Sequence, residues 1–331
     1  MSSGFPITPG HRGDAVRELQ RKLSASGFLA PGAAESGTYC AKTHSAVIAF
    51  QDSRGLRADG NCDEQTWSAL VESSWNFGER ILHLRSPHQR GDDVAELQTT
   101  LNRLGFDCGR VDGIYGPDTS EAVRQFETNT GAEPTGICSP ELVVRLRMLA
   151  SQSGSGPGVA MVRESAALVD SPPVGSLRVV VGHFGPVAHI AHAVARRLAE
   201  HHPLTADVES SPSAQARAAN AANADVYVGI EMSPDAGCTI QFYEVPTFTS
   251  VGGRNLAARI AAELSARIPE VNVHVQGIRH PVLRETRMPA VLCSLGPAQI
   301  ISLKAPAIAH AVSDAVEMWR RDPAEETGSG R

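Results

Sequence analysis

Apolar residues return at every third or fourth position through the middle of the first half of the chain. Val94, Leu97, Leu101 and Leu104 form one such stripe, Val123 and Phe126 a second, and Leu142, Val143, Leu146 and Leu149 a third. The spacing predicts three short helices. Asp92 and Ser139-Pro140 supply start signals and Gly105 a stop. The pattern is duplicated. Arg12-Gly13-Asp14-x-Val16-x-Glu18-Leu19-Gln20-x-x-Leu23, followed by Gly27-Phe28, recurs as Arg90-Gly91-Asp92-x-Val94-x-Glu96-Leu97-Gln98-x-x-Leu101, followed by Gly105-Phe106. Farther on, Ala46-Val47, Phe50, Gly55 and Gly60-x-Cys62 return as Ala122-Val123, Phe126, Gly131 and Gly136-x-Cys138. Each copy has enough apolar positions to close one small core, which places helical modules at 8–74 and 82–150.

Residues 151–176 turn to Ser, Gly and Pro and read as a flexible linker, with a transient helix over Val159 to Val169. Beyond it the periodicity changes. β-Branched runs (Leu177 to Val181, Asp225 to Ile230, Thr239 to Val245, Val271 to Val275, Ala290 to Leu295) alternate with helical patterns at Val187 to Glu200, Arg254 to Arg267 and Ala305 to Arg320. Unbroken apolar runs such as Val179-Val180-Val181 and Val291-Leu292 predict strands covered on both faces. The expected fold class is therefore multidomain: two small three-helix all-α modules, then an α/β domain over 177–322 with a mostly parallel, helix-covered sheet, then a disordered tail, 323–331.

Composition narrows the partners. With Lys+Arg 30, Asp+Glu 36 and a net charge of −6 over 331 residues, there is no basic field to draw the chain onto nucleic acid or anionic lipid. Met1 to Gly10 lack Lys and Arg and contain Pro6 and Pro9, which is not a secretory pattern, so a cytoplasmic protein is expected. The longest uncharged stretches, Val179 to Ala195 and Met288 to Leu303, fall short of the ~20 residues of a membrane span, and no transmembrane segment is expected. Six cysteines contain no C-x-x-C pair and are expected as reduced thiols.

The duplicated letters resemble the peptidoglycan-binding domain carried as a module by bacterial wall hydrolases. The resemblance rests on the Gly91 to Gln98 helix, the Val111-Asp112-Gly113-x-x-Gly116 loop and Val123-x-x-Phe126-Glu127. It implies a peptidoglycan fragment or precursor as ligand, with Asp112, Gly113 and Tyr115 of the second copy's loop as candidate contacts. The first copy departs there, reading Ser36-Gly37-Thr38-Tyr39-Cys40 after a short insertion.

The second half resembles the zinc-dependent N-acetylmuramoyl-L-alanine amidases. The residues that carry this are Ala219-Asn220-x-x-Asn223-Ala224-Asp225-Val226-Tyr227-Val228-x-Ile230, Arg254-Asn255-Leu256-Ala257, and Val282-Leu283-Arg284-x-x-x-Met288-Pro289-Ala290-Val291-Leu292-x-x-Leu295-Gly296. Such an enzyme needs three metal ligands, an open position for water and a carboxylate to move the proton. The resemblance implies a ligand His after the first strand, where this chain has His183 out of register. A ligand Glu opening the next helix falls near Val187, a second ligand His on Glu231, and the catalytic Glu on Ser294. The chemical positions are replaced while the fold letters remain, so the resemblance implies a pseudoenzyme with no cofactor. The alternative is an amidase with an altered zinc site, for which His183 and Glu231 at neighbouring strand ends are the fallback ligands. His189 and His192, at i and i+3 of one helix, are available to join them. Arg284 is a further candidate, for a ligand carboxylate or for an internal ion pair, and Cys293 reads as a packed thiol.

Two binding modules and a degenerate amidase domain together resemble the CwlM-type amidase homologues of actinobacteria. That resemblance implies a regulator of peptidoglycan synthesis that contacts a biosynthetic enzyme, the enolpyruvyl transferase, under a Ser/Thr kinase. Thr327, after Glu325-Glu326, is the phosphorylation candidate.

Overall fold

The computed structural model describes residues 5–30, 32, 36–150, 168, 176–233, 237–245 and 248–323. The chain divides into two compact units, Met1–Ala160 and Met161–Arg331. No helix among the described residues is long and apolar enough to cross a membrane. Thr327 and most of the expected linker and tail lie outside the described residues.

In the first unit, helices α1 (Asp14–Ala25), α2 (Ala41–Ser53) and α3 (Glu64–Glu72) enclose Leu19, Leu23, Val47, Phe50 and Leu70. The second copy has β1 (Leu82–His83), α4 (Asp92–Arg103), α5 (Pro117–Asn129), β2 (Ile137–Cys138) and α6 (Pro140–Ala150), around Leu97, Leu101, Val123, Phe126 and Leu146. Leu149, expected on that face, is 40% exposed. The two cores are separate clusters, joined across their boundary by an ion pair, Arg54 Nη1 to Asp92 Oδ2 at 2.5 Å.

The duplication extends to contact geometry. Phe28 meets Phe50 edge-on at 5.4 Å between ring centroids, and Phe106 meets Phe126 at 5.4 Å in the same way. It also persists where the letters diverge. Gly37 and Gly113 both hold left-handed φ, 57° and 69°, and both donate their N–H to the helix glutamine, Gln20 or Gln98. Tyr39 Oη then donates to Gly60 O at 2.6 Å, and Tyr115 Oη to Gly136 O at 3.0 Å. The loop of the first copy, which departs in sequence, is built like that of the second.

Among the described residues, the second unit holds a seven-stranded sheet: β3 (Val179–Phe184), β4 (Ala206–Glu209), β5 (Val226–Met232), β6 (Cys238–Val245), β7 (Phe248–Thr249), β8 (Val273–Ile278) and β9 (Ala290–Leu295). The spatial order is β4-β3-β5-β9-β6, with β7 and β8 both paired to β6. Strands β4, β3, β5 and β9 run parallel; the unbroken apolar runs predict this for β3, β5 and β9, whereas β4 carries no such run. β6 joins β9 antiparallel, so it and its parallel partner β8 are reversed.

One face carries α7 (Ala188–Ala199), α9 (Val251–Arg267) and α12 (Ala305–Arg321). These bury Val179, Val181, Val228, Ile230, Val291 and Cys293. The other face carries α8 (Pro212–Ala221) and the short α10 (Pro281–Glu285), and α11 (Ala298–Leu303) follows β9.

Leu168, inside the expected linker, is helical, 9% exposed and part of the α/β core. A Cβ on Gly252 would lie 3.3 Å from its Cδ1 and 2.7 Å from Pro289 Cγ, so the glycine is what lets α9 approach these side chains. Leu168 falls within the stretch of the expected linker read as a transient helix, and apolar burial ties that residue to the domain that follows.

Candidate functional site

The letters shared with the amidases mostly hold the sheet together. Asn220, on α8, donates to Glu285 O at 2.8 Å and accepts from Arg287 N at 2.9 Å, fixing the approach to β9. Asn223 takes a left-handed φ of 48° in the turn before β5. Asp225 Oδ2 accepts from Arg178 N at 2.7 Å, aligning β5 with β3. Asn255 donates to Pro323 O at 3.0 Å, and Arg284 is buried at 8% exposure.

The positions that the resemblance assigns to amidase chemistry fall at the carboxyl ends of β3, β5 and β9. Phe184, Glu231 and Ser294 are register partners there and share one face of the sheet. Glu231 is partly buried and Ser294 is 7% exposed. On the same face Tyr227 Oη donates to Gln215 Oε1 at 2.6 Å, and Gln215 Nε2 donates to His183 O at 2.9 Å. A Cβ on Gly182 would strike both groups, at 1.9 Å from Gln215 Oε1 and 2.3 Å from Tyr227 Oη. The polar lock, rather than a ligand loop, dictates the residue before His183. His280 closes this face, its ring 5.8 Å from that of Phe184, and burial pushes its pKa down to about 4. It is therefore neutral at pH 7 and accepts from Val282 N at 3.3 Å, capping α10.

These residues do not fit a catalytic zinc. Val187 is fully buried and apolar at the start of α7, and Ser294 offers a hydroxyl. Among the described residues, no group of three His, Cys, Asp or Glu side chains close enough for a metal includes Glu231. His183 is paired in register with Ile230, so it projects from the face opposite Glu231. The sheet itself separates the two fallback ligands. Cys293 is 1% exposed among apolar residues, and burial pushes its thiol up, consistent with a packed group.

The face that holds His183 has a feature the sequence does not signal. His183 on β3, His192 on α7 and Asp207 on β4 bring three ligand-type atoms within 4.8 Å of one another. His192 Nε2 stands 2.9 Å from Asp207 Oδ2. His189, the other candidate on α7, is not part of this group. Asp207 escaped sequence reasoning because it lies on a short polar edge strand with no apolar alternation, and no regular spacing links it to either histidine.

In the helical modules the loop candidates have internal duties. Gln98 Nε2 donates to Asp112 Oδ1 at 2.8 Å and to Thr119 Oγ1 at 3.1 Å, while its Oε1 accepts from Gly113 N at 2.7 Å. Tyr115 is fully buried, with its hydroxyl spent on Gly136, so it belongs to the core and presents no surface to a ligand.

Comparisons with known proteins agree with both halves. The family model described as "Putative peptidoglycan binding domain" matches residues 12–70 and 90–146. The protein named N-acetylmuramoyl-L-alanine amidase CwlM from Mycobacterium tuberculosis (strain ATCC 25618 / H37Rv) is 31% identical over 334 residues, covering 88% of this chain and 82% of that protein. The amidase CwlL of Bacillus licheniformis is 30% identical over 168 residues, covering 45% of this chain and 47% of its own length. Among solved structures, the amidase AmiC2 of Nostoc punctiforme aligns with a TM-score of 0.37 and 18% identity, over 44% of this chain and 99% of that one.

Proposed function

Because the chain belongs to the family of N-acetylmuramoyl-L-alanine amidase homologues represented by CwlM, we propose that it serves peptidoglycan biosynthesis as a non-catalytic regulator. The observation that carries this reading is the set Val187, Glu231 and Ser294: an apolar residue, one carboxylate and one hydroxyl where hydrolysis needs metal ligands and a base. A serine hydroxyl attacks or relays protons only with an activating partner. The face that holds Ser294 offers neutral His280 in the service of a helix cap.

In this reading the helical modules bring a muropeptide or lipid-linked precursor, and the α/β domain contacts an enzyme of wall synthesis in the cytoplasm. The enolpyruvyl transferase is the partner suggested by family resemblance, and a Ser/Thr kinase acting at Thr327 is the matching control. The test uses the purified full chain with sacculi and added Zn2+, scored for released stem peptide, beside a binding measurement with the purified transferase. No release together with saturable binding is the expected result. Peptide release would move the protein to the hydrolase reading, and absence of binding would remove the named partner.

A further inference from the structure

We propose that His183, His192 and Asp207 form a binding site for a divalent transition cation of the zinc class, on the sheet face opposite Glu231 and Ser294. The three side chains come from three elements, β3, α7 and β4, and their ligand-type atoms lie within 4.8 Å of one another. Tetrahedral coordination at ~2.0–2.2 Å sets ligand atoms roughly 3.3 Å apart. The most widely separated groups therefore need to close by up to about 1.5 Å, and the exposed His192 side chain has freedom to move toward the others.

The ion pair between His192 and Asp207 is on its own an ordinary surface contact. His183 is what it leaves unexplained. This ring is 3% exposed, its Nδ1 has no hydrogen-bond partner, and its Nε2 reaches only a carboxylate oxygen of Glu209, at 4.0 Å. A buried imidazole whose Nδ1 has no hydrogen-bond partner, beside a second imidazole and a carboxylate, is accounted for when all three share a cation. Glu209, the register partner of His183 on β4, adds a second carboxylate at the edge of the site. Two imidazoles and a carboxylate suit zinc and its first-row neighbours, whereas magnesium and calcium take oxygen ligands.

Such an ion would fasten the edge strand β4 to β3 and α7 in the folded state. The proposal involves no hydrolysis, and it stands whether or not the regulator reading does.

The test titrates the full chain with Zn2+ alone by calorimetry, and with Co2+ for its visible absorption. One equivalent bound, with a Co2+ spectrum of nitrogen and oxygen ligation, is expected. His192→Ala and Asp207→Asn should each weaken binding by about 10-fold or more, while Glu231→Ala leaves it unchanged. His192 and Asp207 carry the test because replacing buried His183 would also disturb the core; far-ultraviolet circular dichroism confirms that each variant is folded. Failure to bind one equivalent at micromolar Zn2+, affinity that survives both substitutions, or affinity lost only with Glu231 each overturns the proposal.

Discussion

Glu231 on β5 and Ser294 on β9 are direct partners in the parallel ladder, so the two positions that resemblance assigns to a metal ligand and a proton-transferring carboxylate still face each other across adjacent strands. The scaffold's juxtaposition persists with one carboxylate and one hydroxyl in it. On the non-catalytic reading, restoring the second carboxylate alone is expected to restore no hydrolysis. Ser294→Glu sets a second carboxyl group beside Glu231, and neighbouring carboxylates disfavour each other's ionisation. The expected outcome is no stem peptide released from sacculi with added Zn2+. Burial of a charge at a 7%-exposed position lowers stability by about 1–3 kcal/mol, read in a denaturant melt. Measurable peptide release by this variant would show that the site retains enough of its ligands after all.

The Gln98 clamp should dominate the stability of the second helical module. Its side chain satisfies Asp112, Thr119 and the backbone of Gly113 and Ile114 from a 1%-exposed position. Gln98→Ala leaves several of these groups buried without partners, at a cost of about 2–4 kcal/mol. Gln20→Ala should act similarly in the first module, where Gln20 bridges Thr38, Thr43 and Gly37. Urea unfolding followed by tryptophan fluorescence checks both, since Trp67 packs on the first core and Arg80, paired with Asp93 of α4, lies over Trp75. A loss below about 0.5 kcal/mol in both variants would mean the loops are held by something else.

Much of this was legible beforehand, for physical reasons that differ by element. β9, Ala290–Leu295, is buried throughout and apolar except at Ser294 because helices cover both its faces, and its limits are those the sequence predicts. The same argument misses β4: it is an edge strand with mostly exposed side chains, so burial imposes no pattern on Ala206–Glu209. The reversal of β6 and β8 is equally invisible, since an apolar run fixes coverage and not direction. At the candidate site, sequence letters could place Glu231 and Ser294 at strand ends. Only the register shows that His183 looks the other way, because one residue along a strand exchanges the faces. Tyr115 shows what motif letters do not signal: its side chain is fully buried and its hydroxyl donates to Gly136 O inside the module.

Thiol reactivity should single out Cys40. It is exposed at the start of α2, where hydrogen bonds from Thr43 lower its pKa. Cys62 and Cys138 are buried, with thiols pushed up to about 12 by desolvation, and Cys293 is pushed up likewise. Brief treatment of the native chain with iodoacetamide at pH 8 should give one adduct by mass spectrometry, and all six cysteines should react after denaturation. Cys40→Ser should abolish the native adduct. Rapid labelling at Cys62 or Cys138 in the folded protein would show that their modules open more readily than their packing implies.

Acid should weaken the α/β domain through His280. Its ring nitrogen accepts from Val282 N, a role open only to the neutral form, and burial holds its pKa at about 4, against 6.5 for an exposed imidazole. Above pH 6.5 neither the folded nor the unfolded chain carries the proton, so the group contributes no pH dependence. Between 6.5 and about 4 the unfolded chain binds the proton and the folded chain does not, so stability falls as pH falls, by about 2 kcal/mol at pH 5. His280→Asn keeps an acceptor at the helix start and removes the titration. Urea unfolding of the α/β domain at pH 7 and pH 5 should therefore show a smaller acid loss in the variant, by about that amount. Equal losses in the two proteins, or a ring that titrates near 6.5 by nuclear magnetic resonance, would place His280 in solvent rather than beneath Phe184.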